Sequence, residues 1–250
     1  MAHTLLPPSL SDWFDAQGWA LHPHQIAMLE RANDVSTLLI APTGGGKTLA
    51  GFLPSLAELS QGAHAGLHTI YISPLKALAA DIRRNLLRPI EGAALGIRVE
   101  DRTGDTSATQ KRRQRVDPPH ILLTTPESLA LMISYEDAPR LFAGLRRVII
   151  DEAHALAEAK RGDQLMLALS RLESLAPGLR RVALSATVED PEGLAAYVAP
   201  HPLPCAILRA DLGPDPDIQM LETTSAPPWS GGGAAYAIPE ILEQIQRHKT

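Results

Sequence analysis

Seven short runs of β-branched and aliphatic residues punctuate the chain, at positions 36–40, 68–72, 97–100, 120–124, 147–150, 180–184 and 205–208. Each is followed by polar residues or a Gly/Pro turn, and several then lead into stretches whose apolar positions recur at helical spacing. The clearest of these helices span 47–59, 75–87, 126–134, 163–175 and 192–198. Strand followed by helix, repeated, is the rhythm of βα units. Several runs are apolar at consecutive positions, so both faces of those strands must be covered, which suits parallel strands rather than half-exposed antiparallel ones. The expected fold is α/β, an open and mostly parallel sheet with helices on both faces.

The pattern changes beyond Arg209. Pro214, Pro216, Pro227, Pro228 and the run Ser230, Gly231, Gly232, Gly233 supply few core-forming residues and predict a linker. Further on, Ile241, Leu242 and Ile245 fall at helical spacing with nothing after them to cover that face. The expected organisation is one domain over 1–210, a linker over 211–237 and the beginning of a second domain over 238–250.

Composition narrows the class. The 250 residues are 45% hydrophobic and 20% charged, enough for one sizeable core. A single cysteine, Cys205, excludes an internal disulfide framework and fits a buried thiol in a reducing compartment. No segment approaches the run of about 20 apolar residues that spans a membrane, and the first residues lack the basic start and apolar stretch of a signal peptide, so a cytoplasmic location is expected. With a net charge of -5 the chain has no overall electrostatic pull toward nucleic acid, and any such contact must be local. The dense basic stretch Lys111, Arg112, Arg113, Arg115 is expected to be a solvated helix face, and Trp13 and Trp19 to be packing residues.

The sharpest chemical signal is Ala41-Pro42-Thr43-Gly44-Gly45-Gly46-Lys47-Thr48, placed after a predicted strand and opening a predicted helix. Glycines there let successive N–H groups face phosphate oxygens, and the helix N-terminus adds partial positive charge. Lys47 would reach the β- and γ-phosphates of ATP, and Thr48 would present its hydroxyl to Mg²⁺. Thr43, Gly44, Gly45, Gly46, Lys47 and Thr48 are therefore candidate nucleotide-binding residues. A phosphate site of this kind needs an acidic partner after a later strand, and Asp151-Glu152-Ala153-His154 follows the run 147–150. Asp151 would hold the metal through a water, and Glu152 would orient or deprotonate the water that attacks the γ-phosphate.

Three more segments follow predicted strands: Ser73-Pro74-Leu75-Lys76, Thr125-Pro126-Glu127 and Ser185-Ala186-Thr187. In an open parallel sheet all strand C-termini lie along one edge, where ligands bind, so five polar elements are expected to converge on one rim.

In order, APTGGGKT, SPLKAL, TGD, TTPESL, DEAH and SAT resemble motifs I, Ia, a Thr-Gly-Asp motif, Ib, II and III of superfamily 2 DEAD/DEAH-box helicases. The intervening wording, such as LAGFLPSLAEL, DPPHILLTTPESLALM and KRGDQL, is similar to Lhr-type helicases, in particular the bacterial ligase-associated DEXH-box group. That resemblance implies a RecA-like P-loop NTPase domain, the first of two in such an enzyme. It implies adenine recognition by Gln25, and coupling of hydrolysis to movement through His154, Ser185 and Thr187. It also implies that Pro74, Lys76, Thr103, Gly104, Asp105, Thr125, Pro126 and Glu127 grip the backbone of a nucleic-acid strand, single-stranded DNA before RNA. Translocation 3′ to 5′, a role in DNA repair and association with an ATP-dependent DNA ligase and a nuclease follow from the same resemblance. An arginine finger on the second RecA-like domain would be missing, so slow hydrolysis is expected. A nucleotide-sensing or docking module without motor activity remains the alternative.

Overall fold

The computed structural model describes residues 5–62, 64–74, 76–186, 188–211, 218, 220–226, 229 and 233–247, with the backbone alone for 76–80. The chain divides into two compact units, Met1–Asp211 and Leu212–Thr250.

The first unit is built on seven strands: β1 (Ser36–Ile40), β2 (Thr69–Ile72), β3 (Val99–Arg102), β4 (Ile121–Thr124), β5 (Arg147–Ile150), β6 (Arg180–Ser185) and β7 (Ala206–Arg209). They form one sheet in the order β3-β4-β2-β5-β6-β1-β7, every pairing parallel. The helices are α1 (Pro8–Ala16), α2 (Pro23–Glu30), α3 (Lys47–Ser60), α4 (Lys76–Gly92), α5 (Ala108–Val116), α6 (Pro126–Ile133), α7 (Ala138–Phe142), α8 (Ala153–Ala157), α9 (Lys160–Leu175) and α10 (Pro191–Val198).

Period-two alternation sorts each strand's side chains to two cores. Leu39, Tyr71, Ile121, Leu123, Ile149, Val182 and Leu184 face a core completed by α1, α3 and α4. Their neighbours Leu38, Ile70, Ile72, Leu122, Val148, Ile150 and Ala183 face the other, completed by α6, α9 and α10. This double burial is the physical meaning of the uninterrupted apolar runs.

Several boundaries move from the expected ones, among them the start of α9, at Lys160 rather than 163. The third strand is shifted to Val99–Arg102, because the ladder pairs Val99 with Ile121 and Arg102 with Thr124, leaving Ile97 buried ahead of it. The fourth helix continues past Pro89 to Gly92, since Ile90 and Ala93 bury in the core and offset the hydrogen bond that proline cannot donate. Cys205 is half-buried, and burial raises its thiol pKa. In the second unit, helix α11 (Ile238–Arg247) presents Ile238, Leu242 and Ile245 on its exposed surface.

Candidate functional site

All six loops that carry motif residues leave the C-terminal edge of the sheet. Ladder bonds continue beyond the strands and fix where each begins: Ala41 N–H donates to Ser185 O (3.0 Å), Ser73 N–H to Thr124 O (3.1 Å) and Asp151 N–H to Ile72 O (2.9 Å). Strand order then separates the rim into two halves. The C-terminal ends of β5, β6 and β1 carry the tetrad Asp151-Glu152-Ala153-His154, Ser185 and the glycine loop, whereas those of β3, β4 and β2 carry Thr103, Thr125 and Pro74.

The glycine loop closes on itself through Gly45 N–H to Pro42 O (3.1 Å). Gly44 and Gly46 have φ of 82° and 72°, the left-handed region that glycine enters without a Cβ clash. A Cβ at Gly45 would lie 3.1 Å from Pro42 O, so the loop also needs glycine for space. These features make a cradle of backbone N–H groups at the N-terminus of α3, with Lys47 and Thr48 in its first turn. The donor set fits a magnesium nucleotide: amides and an ammonium for phosphates, and the hard oxygens of Thr48 and Asp151 for the metal.

Lys47 is buried, and its Nζ donates to Glu152 Oε1 at 2.8 Å. Glu152 adopts a left-handed conformation, φ 47°, at the start of α8. For a residue with a Cβ this costs about 1–2 kcal/mol, strain of the kind found where a side chain must be aimed. Asp151 is buried at the end of β5, and its Oδ1 accepts from Glu152 N–H (2.9 Å) while Oδ2 accepts from the Tyr71 hydroxyl. Burial raises the Asp151 pKa against those hydrogen bonds and the nearby Lys47 ammonium. Burial, together with the Asp151 charge, drives the Tyr71 phenol well above its ordinary value, so it remains a donor.

His154 connects the tetrad to the next strand. Its Nδ1 hydrogen-bonds Ser185 Oγ at 2.8 Å, and its Nε2 lies 3.6 Å from Glu152 Oε2. Lys47, Glu152, His154 and Ser185 thus form a side-chain relay of two hydrogen bonds joined by the 3.6 Å approach of His154 to Glu152. Thr187 lies outside the described residues.

Gln25 sits on α2 in a reciprocal cap, its Oε1 accepting from His22 N–H at 2.9 Å. It is buried, with Nε2 3.1 Å from where a Cβ of Gly46 would stand, so α2 presses directly on the phosphate loop. Trp13 and Trp19 pack edge-to-face, centroids 5.5 Å apart, and with Thr48, Phe52 and Leu86 they border a cavity of about 190 Å³ between α1, α3 and α4.

On the other half of the rim, Thr125 caps α6 by accepting from Ser128 N–H (3.4 Å), with Pro126 in the first turn and Glu127 exposed. Thr103 is buried and its hydroxyl accepts from Asp105 N–H (3.3 Å), leaving Gly104 and Asp105 exposed. Arg161 of α9 donates to both Glu127 Oε1 (2.5 Å) and Pro74 O (3.1 Å), linking two of these loops. Lys76 opens α4, its side chain outside the described residues. The basic stretch is a helix face whose cations are largely engaged: Arg113 pairs with Glu100 (2.5 Å), Arg115 with Asp137 (2.7 Å), and Lys111 donates to Gly104 O (3.0 Å).

Tyr71 and Arg161 were not evident from sequence. A tyrosine inside a strand apolar on both faces does signal a buried hydroxyl in need of a partner. Arg161 lies in the segment KRGDQL, but its role is not local, since its two acceptors lie 34 and 87 residues away.

The DEAD/DEAH box helicase family matches residues 22–194. An ATP-dependent helicase Lhr-Core from Methanothermobacter thermautotrophicus is 36% identical over 99% of this chain and 31% of its own length. The Lhr helicase/uracil glycosylase of Escherichia coli is 40% identical over 78% of this chain and 14% of its own. The solved structure of Mycobacterium smegmatis helicase Lhr bound to ssDNA and AMP-PNP superposes with a TM-score of 0.79 at 34% identity, over 98% of this chain and 32% of that one. The chain therefore spans about a third or less of the length of these relatives. The sheet, with helices on both faces, is a RecA-like helicase fold.

Proposed function

We propose, from the premise that this chain belongs to the DEAD/DEAH box helicase family, that it is the ATP-binding motor domain of an Lhr-type helicase acting on single-stranded DNA. The observation that carries this reading is the relay Lys47–Glu152–His154–Ser185, because it joins a phosphate cradle to the strand end beside it through side chains alone. The amides of Thr43 to Gly46 and the Lys47 ammonium hold the phosphates, Thr48 and Asp151 hold Mg²⁺, and Gln25 serves the adenine. When bound, Mg²⁺ would supply positive charge to offset that of the phosphates. When phosphate takes over Lys47, Glu152 loses its cation and is released to orient the attacking water. A shift of Glu152 reaches Ser185 through His154, which couples hydrolysis to movement.

Strand gripping falls to the other half of the rim. The loop Thr103 to Asp105, the capped N-terminus of α6 at Thr125, Pro126 and Glu127, and Pro74 with Lys76 supply amides, hydroxyls and a cation suited to phosphates rather than base edges. An acidic chain can bind a polyanion in this way. Residues 1–210 are the motor domain, 211–237 a linker and 238–250 the beginning of a second RecA-like domain. Because an arginine finger adds about 10³ to 10⁵ in rate to related phosphoryl transfers, hydrolysis by this domain alone is slow. The motif wording supports translocation 3′ to 5′ in DNA repair, alongside a ligase and a nuclease in the cytoplasm.

The test is the affinity of the chain for a fluorescent ATP analogue with Mg²⁺, with and without a single-stranded DNA oligonucleotide, for the wild type and Lys47→Ala. Loss of binding in the variant and tighter binding with DNA are expected. Binding that survives Lys47→Ala refutes the phosphate site, and binding indifferent to DNA favours a nucleotide sensor instead.

A further inference from the structure

Tyr71 stands apart from every residue so far given a role, yet it touches Asp151 directly and, through Phe52, the helix that carries Thr48. It occupies the third position of β2, paired in register with Ile149 of β5. Period-two alternation puts Tyr71, Ile149 and, two residues on, Asp151 on the same side of the sheet. The Tyr71 side chain is fully buried, and its hydroxyl donates to Asp151 Oδ2. Its ring stacks on Phe52 of α3, with centroids 5.2 Å apart and planes inclined by 21°. Phe52 is four residues after Thr48, so the two share a face of α3, one turn apart. Tyr71 is thus braced between the helix that carries Thr48 and the strand end that carries Asp151.

We infer that Tyr71 is a positioning residue for the magnesium site, its ring seating α3 and its hydroxyl fixing the Asp151 carboxylate so that Thr48 and Asp151 stand at the separation the metal requires. The inference rests on the proposed assignment of Thr48 and Asp151 as metal-holding residues. Physically, the Asp151 carboxylate would otherwise rotate about its terminal torsion, which is broad for sp²-terminated side chains. Two donors, Glu152 N–H on Oδ1 and Tyr71 on Oδ2, hold both oxygens and leave their remaining lone pairs to face the cleft. Partners of this kind orient metal-holding carboxylates, and their removal typically weakens metal affinity about 10- to 100-fold. A phenylalanine would keep the ring and nearly the same volume, so packing alone does not account for a phenol here.

The experiment compares Tyr71→Phe, Phe52→Leu and Asp151→Asn with the wild type. A fluorescent ATP analogue is titrated in Mg²⁺ and again in EDTA, and the gain in affinity due to Mg²⁺ is read for each protein beside its thermal midpoint. In Tyr71→Phe the Mg²⁺-dependent gain should fall about 10-fold while affinity in EDTA is unchanged. Phe52→Leu should lose part of the gain, because it removes the stacked ring and leaves the hydroxyl. Asp151→Asn should abolish it. If Asp151→Asn loses the gain and Tyr71→Phe retains it, the hydroxyl only packs the core and the inference is wrong. If Asp151→Asn also retains it, the metal assignment itself fails. Should Tyr71→Phe not fold, a full Mg²⁺ gain in Phe52→Leu overturns the bracing role.

Discussion

At the edge of the sheet away from the glycine loop, Glu58 in the last turn of α3 meets the first residues of two strands. Its Oε1 accepts from Arg147 (2.8 Å) and Arg180 (2.7 Å), and its Oε2 lies 3.2 Å from His68 Nε2. Arg147 is 1% exposed and also donates to Ser55 Oγ (3.0 Å) and Ala32 O (2.8 Å), so its charge depends on one carboxylate. Glu58→Gln keeps the shape and removes that charge. Breaking a buried pair from one side typically costs about 3–5 kcal/mol, because the remaining ion is left uncompensated. For a domain of this size that is a fall in melting temperature of about 6–20 °C. The double variant Glu58→Gln/Arg147→Met should be no less stable than Glu58→Gln, since it leaves no buried ion behind. The pH dependence has a definite sign. Burial works to raise the Glu58 pKa, but His68, Arg147 and Arg180 overcome it and hold the group well below the ordinary carboxylate range. A depressed folded-state pKa gives stability that is fully present above the unfolded value, about 4.3, and is lost as pH falls through the folded one. Urea denaturation of both proteins between pH 7 and pH 3 should therefore show their difference shrinking on the acid side. A difference below about 1 kcal/mol at pH 7, or one that stays constant down to pH 3, would refute the reasoning. Nucleotide affinity should be unaltered, because the cluster lies at the opposite edge from the phosphate loop.

Other consequences concern the rim. Ser185→Ala removes the oxygen that meets His154 Nδ1, and should leave affinity for the ATP analogue within about twofold while reducing its response to single-stranded DNA, as read by fluorescence titration. Gly46→Ala places a Cβ at φ 72° and 3.1 Å from Gln25 Nε2. It should cost about 1–2 kcal/mol of stability in thermal unfolding and weaken nucleotide binding by at least 10-fold. Arg161→Met unlinks Glu127 from Pro74 O. It should weaken binding of a labelled single-stranded oligonucleotide by about three- to tenfold at low salt, with ATP affinity unchanged, and equal DNA affinity would show that the link is incidental.

Much of this protein was legible along the chain because its signals are local. The apolar runs identify strands buried on both faces, and Gly44 to Thr48 can be read as a phosphate loop since a turn and the helix it opens are made by adjacent residues. The same holds for the Thr125 and Pro126 cap. Elements dominated by packing were less legible. Pro89 signals a helix end, yet burial of Ile90 and Ala93 carries α4 onward, and the third strand takes its limits from its partner at Ile121 to Thr124.

Sequence by itself determined the chemistry available: an ammonium at Lys47, carboxylates at Asp151 and Glu152, and hydroxyls at Thr48 and Ser185, each just beyond a strand. Only the tertiary structure decided how they are grouped. Strand order runs β5-β6-β1, so Lys47 meets Glu152 across 105 residues of sequence and His154 meets Ser185 across 31. It places β3, β4 and β2 together, so the proposed strand-gripping loops adjoin one another, stapled by Arg161. It also turns Tyr71 from one more apolar strand position into the donor that holds Asp151. The reason is that crossover connections set which strands are neighbours. That choice is made by the packing of whole helices on the two faces of the sheet, a property no local stretch of residues encodes.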